Sequence, residues 1–310
     1  MTSPGPTTAA VGAVVVGGYL GAGKTTLVNE VLRQADGTRI AVLVNDFGEL
    51  AIDADLVVGA SGEVVALAGG CVCCSFGADL IGTLRRVLDR EPPPQRVLVE
   101  CSGVGLPGVV ARSLRLLPQL DVRGVVTVLD AATAIERAAD RYVGDTVRAQ
   151  IDEADRLVLN QIDRCDAARV EALRRWLAET APSTPVCEAA HGALPAEWLW
   201  EVSPRAAAPR HQPVAVGRLA PVGAQAERCF RSETLHVEPP ADPQALAAQL
   251  TRPGSDVERA KGWIVDADRR SWLLQVASGR AELTQRTPPA ASRAANRLLV
   301  IRSLRSAAAA

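Results

Sequence analysis

The stretch Gly18-Tyr19-Leu20-Gly21-Ala22-Gly23-Lys24-Thr25-Thr26 decides the fold of this chain. It matches the pattern Gly-x-x-x-x-Gly-Lys-Thr, which binds phosphate when it lies between a strand and a helix. Both flanks are present. Residues 11–17 form a short apolar run typical of a buried parallel strand, and apolar residues recur at helical spacing over 27–32. The sequence therefore predicts a strand, a phosphate loop and a helix in succession.

Each residue type in this loop has a predicted role in holding a nucleotide. Glycines let the backbone wrap closely around phosphates, whose charge is attracted by successive N–H groups and by the helix N-terminus. We expect Lys24 to reach the β and γ phosphates and the Thr25 hydroxyl to ligate Mg²⁺, so both are candidate catalytic residues. The predicted nucleotide contacts in the loop are Gly18, Gly21, Ala22, Gly23, Lys24, Thr25 and Thr26.

Composition excludes several function classes. The 310 residues, 48% of them hydrophobic, are enough for one large domain and a smaller one. A net charge of -1 gives no basic footprint for nucleic acid, and 3% aromatic residues leave little surface for base stacking. No apolar run reaches the length of a membrane span, and residues 1–10 lack the pattern of a secretion signal. We expect a cytoplasmic protein that binds neither nucleic acid nor membrane.

Predicted strands and helices alternate over the first two thirds of the chain, as a doubly wound sheet requires. The strands are expected at 40–44, 97–100, 124–129, 157–160 and 185–188, and the helices at 78–88 and 167–179. We therefore predict an α/β fold with a mostly parallel, doubly wound sheet, whose chemistry lies at the carboxyl ends of the strands.

Two further motifs fall at predicted strand ends. Glu100 ends a buried strand and is followed by Gly103, an arrangement in which the carboxylate contacts Mg²⁺ through water and the Gly103 N–H approaches the γ phosphate. Asn160-Gln161-Ile162-Asp163 resembles the Asn-Lys-x-Asp sequence that reads guanine, so Asn160 and Asp163 are candidate base contacts and GTP is favoured over ATP. Gln161 replaces the lysine that covers the base. The alternative is Asp163 as a helix cap or turn residue.

The alternation ends near residue 203 in a Pro- and Ala-rich connector. Beyond it, strand-like segments at 233–237, 262–265 and 272–276 and a helix at 243–250 predict a small α+β module. We divide the chain into a disordered tail (1–10), a P-loop GTPase domain (11–203), a linker (204–225) and a C-terminal α+β domain (226–306).

Cys71-Val72-Cys73-Cys74 gathers three of the seven cysteines into four positions, which favours reduced thiols over a disulfide framework. Thiolates are soft ligands suited to Zn²⁺, Co²⁺ or Cu⁺. Three of them on one loop leave a coordination position open, as a transfer site needs and a structural zinc site does not. Two alternatives remain: buried small residues, or a redox pair of Cys71 and Cys74.

Five motifs follow one another along the chain: residues 18–29, Asn45-Asp46-Phe47-Gly48-Glu49, Gly70 to Cys74, Glu100-Cys101-Ser102-Gly103, and 154–160. Together they resemble the CobW-like GTPase metallochaperones, relatives of the urease and hydrogenase accessory GTPases. The similarity spans about residues 12 to 195, and Arg259-Ala260-Lys261-Gly262-Trp263 resembles part of the family's C-terminal domain. The resemblance implies slow GTP hydrolysis, nucleotide-dependent metal binding at Cys71, Cys73 and Cys74, and delivery of the metal to a client metalloprotein.

The resemblance also suggests how nucleotide and metal are coupled. Residues 45–53 occupy the place of the first switch loop, so Asp46 or Glu49 is a candidate additional Zn²⁺ ligand that a nucleotide-driven shift would add or withdraw. Some relatives carry a Glu where this chain has Val44, which predicts a smaller ligand set here. The expected cofactors are GTP or GDP, Mg²⁺, and Zn²⁺ or Co²⁺. No Gln follows Gly103, so turnover is expected to be slow unless a partner, the metal or homodimer formation accelerates it.

Two other function classes use the same motifs. A small-molecule kinase or ATPase would share the phosphate loop, and a non-catalytic metal or redox sensor would bind nucleotide without turnover. Base selectivity separates the GTPase from the kinase, and release of phosphate over multiple turnovers separates it from the sensor.

Overall fold

A parallel sheet of seven strands organises the first two thirds of the chain in the computed structural model, which describes residues 10–45, 63–67, 76–205, 230–277, 279–287 and 296–304. In these described ranges the strand order is β3-β2-β4-β1-β5-β6-β7, and every pairing is parallel. The strands are β1 (Val11–Gly17), β2 (Ile40–Asn45), β3 (Glu63–Leu67), β4 (Arg96–Glu100), β5 (Leu120–Asp130), β6 (Arg156–Asn160) and β7 (Val186–Glu188).

Helices cover both faces of this sheet. They are α1 (Lys24–Arg33), α2 (Phe76–Leu88), α3 (Pro107–Leu114), α4 (Ala134–Ala139), α5 (Gly144–Asp152), α6 (Ala167–Thr180) and α7 (Ala196–Trp200). Alternate residues of β1 join different cores: Val14 and Val16 pack with α1 and α7, whereas Ala13 and Val15 pack with α2 and α3. Burial on both sides explains why β1 is a continuous apolar run rather than an alternating one. The predicted α/β fold is confirmed.

The remainder of the described chain forms an antiparallel sheet of five strands in the order β11-β10-β9-β12-β8. The strands are β8 (Phe230–His236), β9 (Val257–Val265), β10 (Ser271–Ala277), β11 (Arg280–Gln285) and β12 (Arg297–Ser303). One helix, α8 (Pro243–Leu250), packs Ala247 and Leu250 against Ala260 and Ile264 of β9. The predicted small α+β module is therefore confirmed, with two more strands than the sequence indicated and a longer β9.

The face of this second sheet opposite α8 packs on the first domain. Phe230 of β8 and Ile301 of β12 share a core cluster with Tyr19 and Leu20 of the phosphate loop. The rings of Tyr19 and Phe230 lie 6.4 Å apart between centroids. The C-terminal sheet therefore touches the phosphate loop directly.

A buried ion pair joins the two domains beside these rings. Arg137 of α4 donates from Nη1 to Glu258 Oε2 of β9 at 2.7 Å, and only 18% and 6% of the two side chains are exposed. The Arg137 guanidinium also lies 5.2 Å from the centroid of the Tyr19 ring, within cation–π range. One residue thus links α4, the phosphate loop and the second sheet.

Among the described residues, no helix combines the length and the apolar character needed to span a membrane.

Candidate nucleotide site

The phosphate loop runs so close to two neighbouring strands that side chains are excluded at two of its glycines. A Cβ on Gly18 would lie 2.2 Å from the Val128 carbonyl oxygen of β5, and one on Gly23 would lie 2.3 Å from Nδ2 of Asn160 at the end of β6. Gly23 also has φ 94°, a left-handed conformation that favours glycine. The glycines therefore seat the loop against the sheet, in addition to their predicted role of admitting phosphate.

Lys24 lies across the loop that it follows. Its Nζ donates to the Gly18 carbonyl at 2.9 Å and lies 3.4 Å from the Tyr19 carbonyl, and the residue is only 5% exposed. The ammonium group is therefore held over the concave side of the loop by two carbonyl oxygens. A phosphate entering the loop would meet this cation in position.

Thr25 and Glu100, the two predicted Mg²⁺ contacts, are neighbours in space. The Thr25 hydroxyl donates to Glu100 Oε1 at 2.9 Å, and Glu100 is 3% exposed. They meet because β4 pairs with β1 in a register that sets Val16 opposite Glu100, which brings the end of β4 beside the start of α1. A hydroxyl and a carboxylate are the hard oxygen ligands that suit Mg²⁺, so these residues fit the ion.

The loop after β4 is held by a residue that the sequence analysis did not identify. Gln150 of α5 is fully buried, and its Nε2 donates to the carbonyls of Gly103 at 3.2 Å and Gly105 at 2.7 Å. A Cβ on Gly103 would lie 2.8 Å from the Leu20 backbone nitrogen, so this loop also abuts the phosphate loop. Gln150 therefore fixes the position of the predicted γ-phosphate contact.

Asn160 ties the phosphate loop to the predicted base end of the site. Its Nδ2 donates to the Ala22 carbonyl at 2.9 Å and its Oδ1 accepts from the Gly192 N–H at 3.0 Å. The neighbouring Gln161, at φ 63°, donates from Nε2 to the Gly21 carbonyl at 2.9 Å. Both side chains therefore support the phosphate loop. This structural role of Gln161 was not predicted from its replacement of the usual lysine.

Asp163 lies in a single 3-10 turn, Ile162–Arg164, with its Oδ2 3.7 Å from Nε2 of His191. Asp166, rather than Asp163, caps the following helix, because its side chain accepts from the Arg169 N–H at 2.7 Å. Asp163 therefore does not cap that helix, but it does lie in a turn, as the alternative allowed, and the residue also lines the cavity described below.

These groups surround one cavity of about 520 Å³, within the range of small-molecule sites. From the first domain it is lined by Gly21, Gly23, Lys24, Thr25, Thr26, Glu100, Asn160, Gln161, Asp163, Arg164 and His191. The opposite wall comes from the second domain, through Arg259, Ala260, Lys261, Gln275, Val276, Ala277, Arg280, Ala281 and Glu282. No residue of that wall was predicted from the sequence to belong to the site, although Arg259 and Lys261, two residues apart in a strand, would lie on one face of it.

The predicted zinc ligands Cys71, Cys73, Cys74 and Glu49, like Asp46, lie outside the described residues. Within the described ranges, no group of three or more His, Cys, Asp or Glu side chains is arranged to hold a metal ion. Cys101 is buried, and burial raises the pKa of its thiol above the ordinary 9.0. The zinc site remains a prediction.

The order of strands around β1, the loop that follows it and the paired Thr25 and Glu100 define a P-loop nucleotide-binding domain with a C-terminal sheet domain. The family model described as "CobW/HypB/UreG, nucleotide-binding domain" matches residues 12–188, more than half of the chain. The model described as "Cobalamin synthesis protein cobW C-terminal domain" matches residues 230–310. The chain therefore belongs to the CobW/HypB/UreG family, which confirms the resemblance seen in its motifs.

Three curated relatives show the same similarity. The zinc chaperone CobW of a Sinorhizobium species is 33% identical over 216 residues, 60% of this chain and 61% of that protein. The zinc chaperone CobW of Pseudomonas aeruginosa is 35% identical over 228 residues, 62% and 60% of the two chains. The zinc chaperone YjiA of Escherichia coli is 32% identical over 183 residues, 56% of each chain. The alignments thus span about three fifths of the length of these relatives.

Proposed function

We propose that this protein is a GTP-driven zinc carrier. It binds Mg²⁺-GTP in the cavity beside the phosphate loop, hydrolyses it slowly, and passes Zn²⁺ from Cys71, Cys73 and Cys74 to a client metalloprotein. The observation that carries the proposal is the convergence of Lys24, the Thr25–Glu100 pair and Asp163 on one cavity. The names of the curated relatives, zinc chaperones, support the choice of cargo.

Phosphate binding follows from the geometry of the loop. Lys24 Nζ is held by the Gly18 carbonyl, and incoming phosphate oxygens, being anionic, make stronger charge-assisted hydrogen bonds than that neutral carbonyl does. Thr25 and Glu100 would hold Mg²⁺, the hydroxyl directly and the carboxylate through water. The ion supplies neutralisation of charge on the β and γ phosphate oxygens. The N–H of Gly103, whose carbonyl is fixed by Gln150, faces the γ phosphate.

Guanine selection rests on Asp163. A carboxylate at the end of the site accepts two hydrogen bonds from the N1–H and exocyclic amine of guanine, which adenine does not offer. Gln161, bonded to the Gly21 carbonyl, gives less cover to the base than a lysine stem. The protein therefore prefers GTP over ATP, with weaker binding than a lysine-bearing relative.

Slow hydrolysis follows from the loop after Glu100. The residues after Gly103 are Val104, Gly105 and Leu106, none of which orients an attacking water as a glutamine does. Client contact, metal binding or homodimer formation accelerates turnover. The work takes place in the cytoplasm, where thiols stay reduced.

Zinc binding rests on thiolate chemistry. Three thiolates hold Zn²⁺ and leave one position open for Glu49 or for a ligand from the client, and Co²⁺ fits the same set. Because residues 45–53 follow β2, whose neighbour β4 carries Glu100, the phosphate state of the nucleotide can be transmitted to that ligand.

The test is the Zn²⁺ affinity of the reduced protein, measured by competition with a chromophoric chelator. The Zn²⁺ affinity is measured in three states: with Mg²⁺ and a non-hydrolysable GTP analogue, with Mg²⁺-GDP, and without nucleotide. We expect a several-fold difference between the triphosphate and diphosphate forms, equivalent to about 1 kcal/mol of coupling. Cys73→Ser should abolish tight binding, while the isolated Cys187→Ser serves as the matched control. Zinc binding that is absent, or the same in all three states, would overturn the carrier function.

A second measurement isolates the GTPase activity. Phosphate release over multiple turnovers is followed with Mg²⁺-GTP and Mg²⁺-ATP, and Asp163→Ala is compared with wild type. We expect slow release with GTP, less with ATP, and loss of the preference in the variant. A clear preference for ATP would point to the kinase or ATPase class.

A further inference from the structure

The strand β9 presents opposite chemistry on its two faces. Side chains alternate along a strand, so Arg259, Lys261 and Trp263 share one face, while Ala260 and Ile264 share the other. The second set packs in the apolar core beneath α8. Within the first set, Arg259 and Lys261 line the cavity that the phosphate loop borders.

Strand pairing extends this polar face across three strands. Lys261 lies opposite Gln275 of β10, and Gln275 lies opposite Glu282 of β11. Arg259 and Arg280 pair with the same residue of β10 from its two sides. Residues directly opposite one another in an antiparallel sheet point to the same face. All five therefore form one polar wall, which we call the C-terminal wall.

The C-terminal wall places positively charged side chains inside the cavity. Lys261 is only 4% exposed, so its charge lies inside the molecule rather than in solvent. Among the described residues that line the cavity, the Lys and Arg side chains outnumber the carboxylates. The cations are Lys24, Arg164, Arg259, Lys261 and Arg280, and the carboxylates are Glu100, Asp163 and Glu282. Such a cavity suits a polyanion.

We propose that the C-terminal wall is the second half of the nucleotide site: Arg259 and Lys261 bind the phosphates of the nucleotide that the phosphate loop holds from the other side. The inference rests on the proposed binding of GTP in this cavity and adds residues that no phosphate-binding motif includes. Arg280 supplies further positive charge at the same wall. The bound nucleotide then bridges the two domains.

This bridge has a direct consequence for the C-terminal domain. Each charge-assisted hydrogen bond from β9 to a phosphate exists only when the cavity is occupied, so occupancy favours the arrangement in which the two domains face one another. Tyr19, packed on Phe230, already joins the loop to this sheet. The C-terminal domain therefore responds to whether a nucleotide occupies the cavity.

The experiment measures nucleotide affinity of the full-length protein with fluorescent GDP and a fluorescent non-hydrolysable GTP analogue. The variants are Lys261→Met, Arg259→Gln and the charge-preserving Lys261→Arg. The matched control is Arg252→Ala, at the end of α8 on the opposite side of the sheet. We expect Lys261→Met and Arg259→Gln to weaken binding about tenfold each, a typical loss for one hydrogen bond to a charged group. Lys261→Arg should recover most of it, and Arg252→Ala should change little.

The outcomes separate this inference from the proposed function. If wild type binds nucleotide and both charge-removing variants bind equally well, the C-terminal wall plays no part and the inference fails alone. If wild type binds neither nucleotide, the proposed function fails with it. Should Lys261→Met not fold, as judged by circular dichroism, Arg259→Gln decides, because Arg259 is more exposed than Lys261.

Discussion

The cavity lies between two walls: the first wall, formed by the phosphate loop and the strand ends of the first domain, and the C-terminal wall. The two are built in different ways. On the first, the cation and the predicted Mg²⁺ contact are consecutive residues, Lys24 and Thr25, at the start of α1. On the C-terminal wall, the cations lie on β9 and β11, and only the register of three strands brings them together. The first wall is a local motif and the second is a product of topology. A nucleotide site can therefore be half visible in a sequence.

The walls also differ in how they are anchored. The phosphate loop is fixed by hydrogen bonds from Lys24, Asn160 and Gln161 to its own carbonyls. The C-terminal wall is attached to the first domain through the Arg137–Glu258 ion pair and the Tyr19 contacts. We infer that the first wall provides most of the affinity for nucleotide. The attachment between the domains then determines whether the C-terminal wall also contacts the nucleotide.

The largest expected effect comes from the first wall. Lys24→Met removes a cation expected to make about two charge-assisted hydrogen bonds to phosphate, so the Kd for GDP should rise by about 10³, or about 4 kcal/mol. The measurement is titration with fluorescent GDP. The substitution also leaves the Gly18 carbonyl without its donor, so the free energy of unfolding without nucleotide should fall by about 1 kcal/mol, and circular dichroism should show that the variant is still folded. An affinity within a few-fold of wild type would mean that the loop is not the main phosphate site.

The attachment of the second wall is tested next. Glu258→Gln leaves the Arg137 charge buried without a carboxylate, which should cost about 3 kcal/mol of stability. The matched control is Glu188→Gln, which removes the exposed pair with Arg174 and should cost much less, because solvent screens that pair. Urea denaturation measures both. Equal effects of the two substitutions would show that the interdomain pair is no stronger than a surface one.

Local patterns predicted six of the seven parallel strands, but they missed β3 and four helices of the first domain (α3, α4, α5 and α7), and β11 and β12 of the second. The strand before the phosphate loop and α1 were predicted because a buried apolar run and helical spacing are properties of neighbouring residues. β11 was missed because its side chains are mostly exposed, so it lacks the apolar alternation that marks a strand. The cations of the C-terminal wall are brought together by the register between strands, which cannot be read from the spacing of residues along one strand.

The same limit applies within the first domain. Thr25 and Glu100 were each predicted to contact Mg²⁺ because each belongs to a known motif, and the structure places the Thr25 hydroxyl 2.9 Å from Glu100 Oε1. Gln150 was missed because a side-chain amide that donates to backbone carbonyls has no spacing signature. The predicted roles of the cysteines still rest on their clustering alone.

Gln150 allows a smaller and sharper test of the first wall. Gln150→Leu leaves the Gly103 and Gly105 carbonyls unsatisfied, so we expect a loss of about 2 kcal/mol of stability. The preference for the GTP analogue over GDP should also fall, since Gly103 is the predicted γ-phosphate contact. Fluorescent nucleotide titrations give both affinities.

The control for this test is Gln34→Leu. Gln34 likewise bonds to the backbone: its Nε2 donates to the Leu194 carbonyl and its Oε1 accepts from the Ala196 N–H. It lies at the end of α1 that is far from the cavity. It should lose similar stability without changing the nucleotide preference. If both variants keep the preference, Gln150 has only a structural role.

The smallest expected effect lies behind the first wall and depends on pH. Glu153 accepts the Gly108 N–H at 2.9 Å, and burial raises the pKa of its carboxyl above the ordinary 4.5. The folded state therefore holds this proton more tightly than the unfolded state, so the contribution of Glu153 to stability is present below the ordinary pKa and is lost as pH rises through the folded one. Glu153→Gln keeps an acceptor and should become more favourable relative to wild type over that window, by less than about 1 kcal/mol.

A second carboxylate gives the opposite sign and serves as the control. The hydrogen bond from Arg169 lowers the pKa of Glu136, whose stabilising effect is therefore present above the ordinary 4.5 and lost as pH falls. Urea denaturation from about pH 4 to about pH 7 should show the Glu153→Gln difference growing upward in favour of the variant and the Glu136→Gln difference growing in favour of wild type. If both differences instead grow in favour of wild type as pH rises, the contacts of Glu153 with Gly108 and Arg112 outweigh its desolvation. Glu153 would then stabilise the fold as a carboxylate rather than as a neutral acceptor.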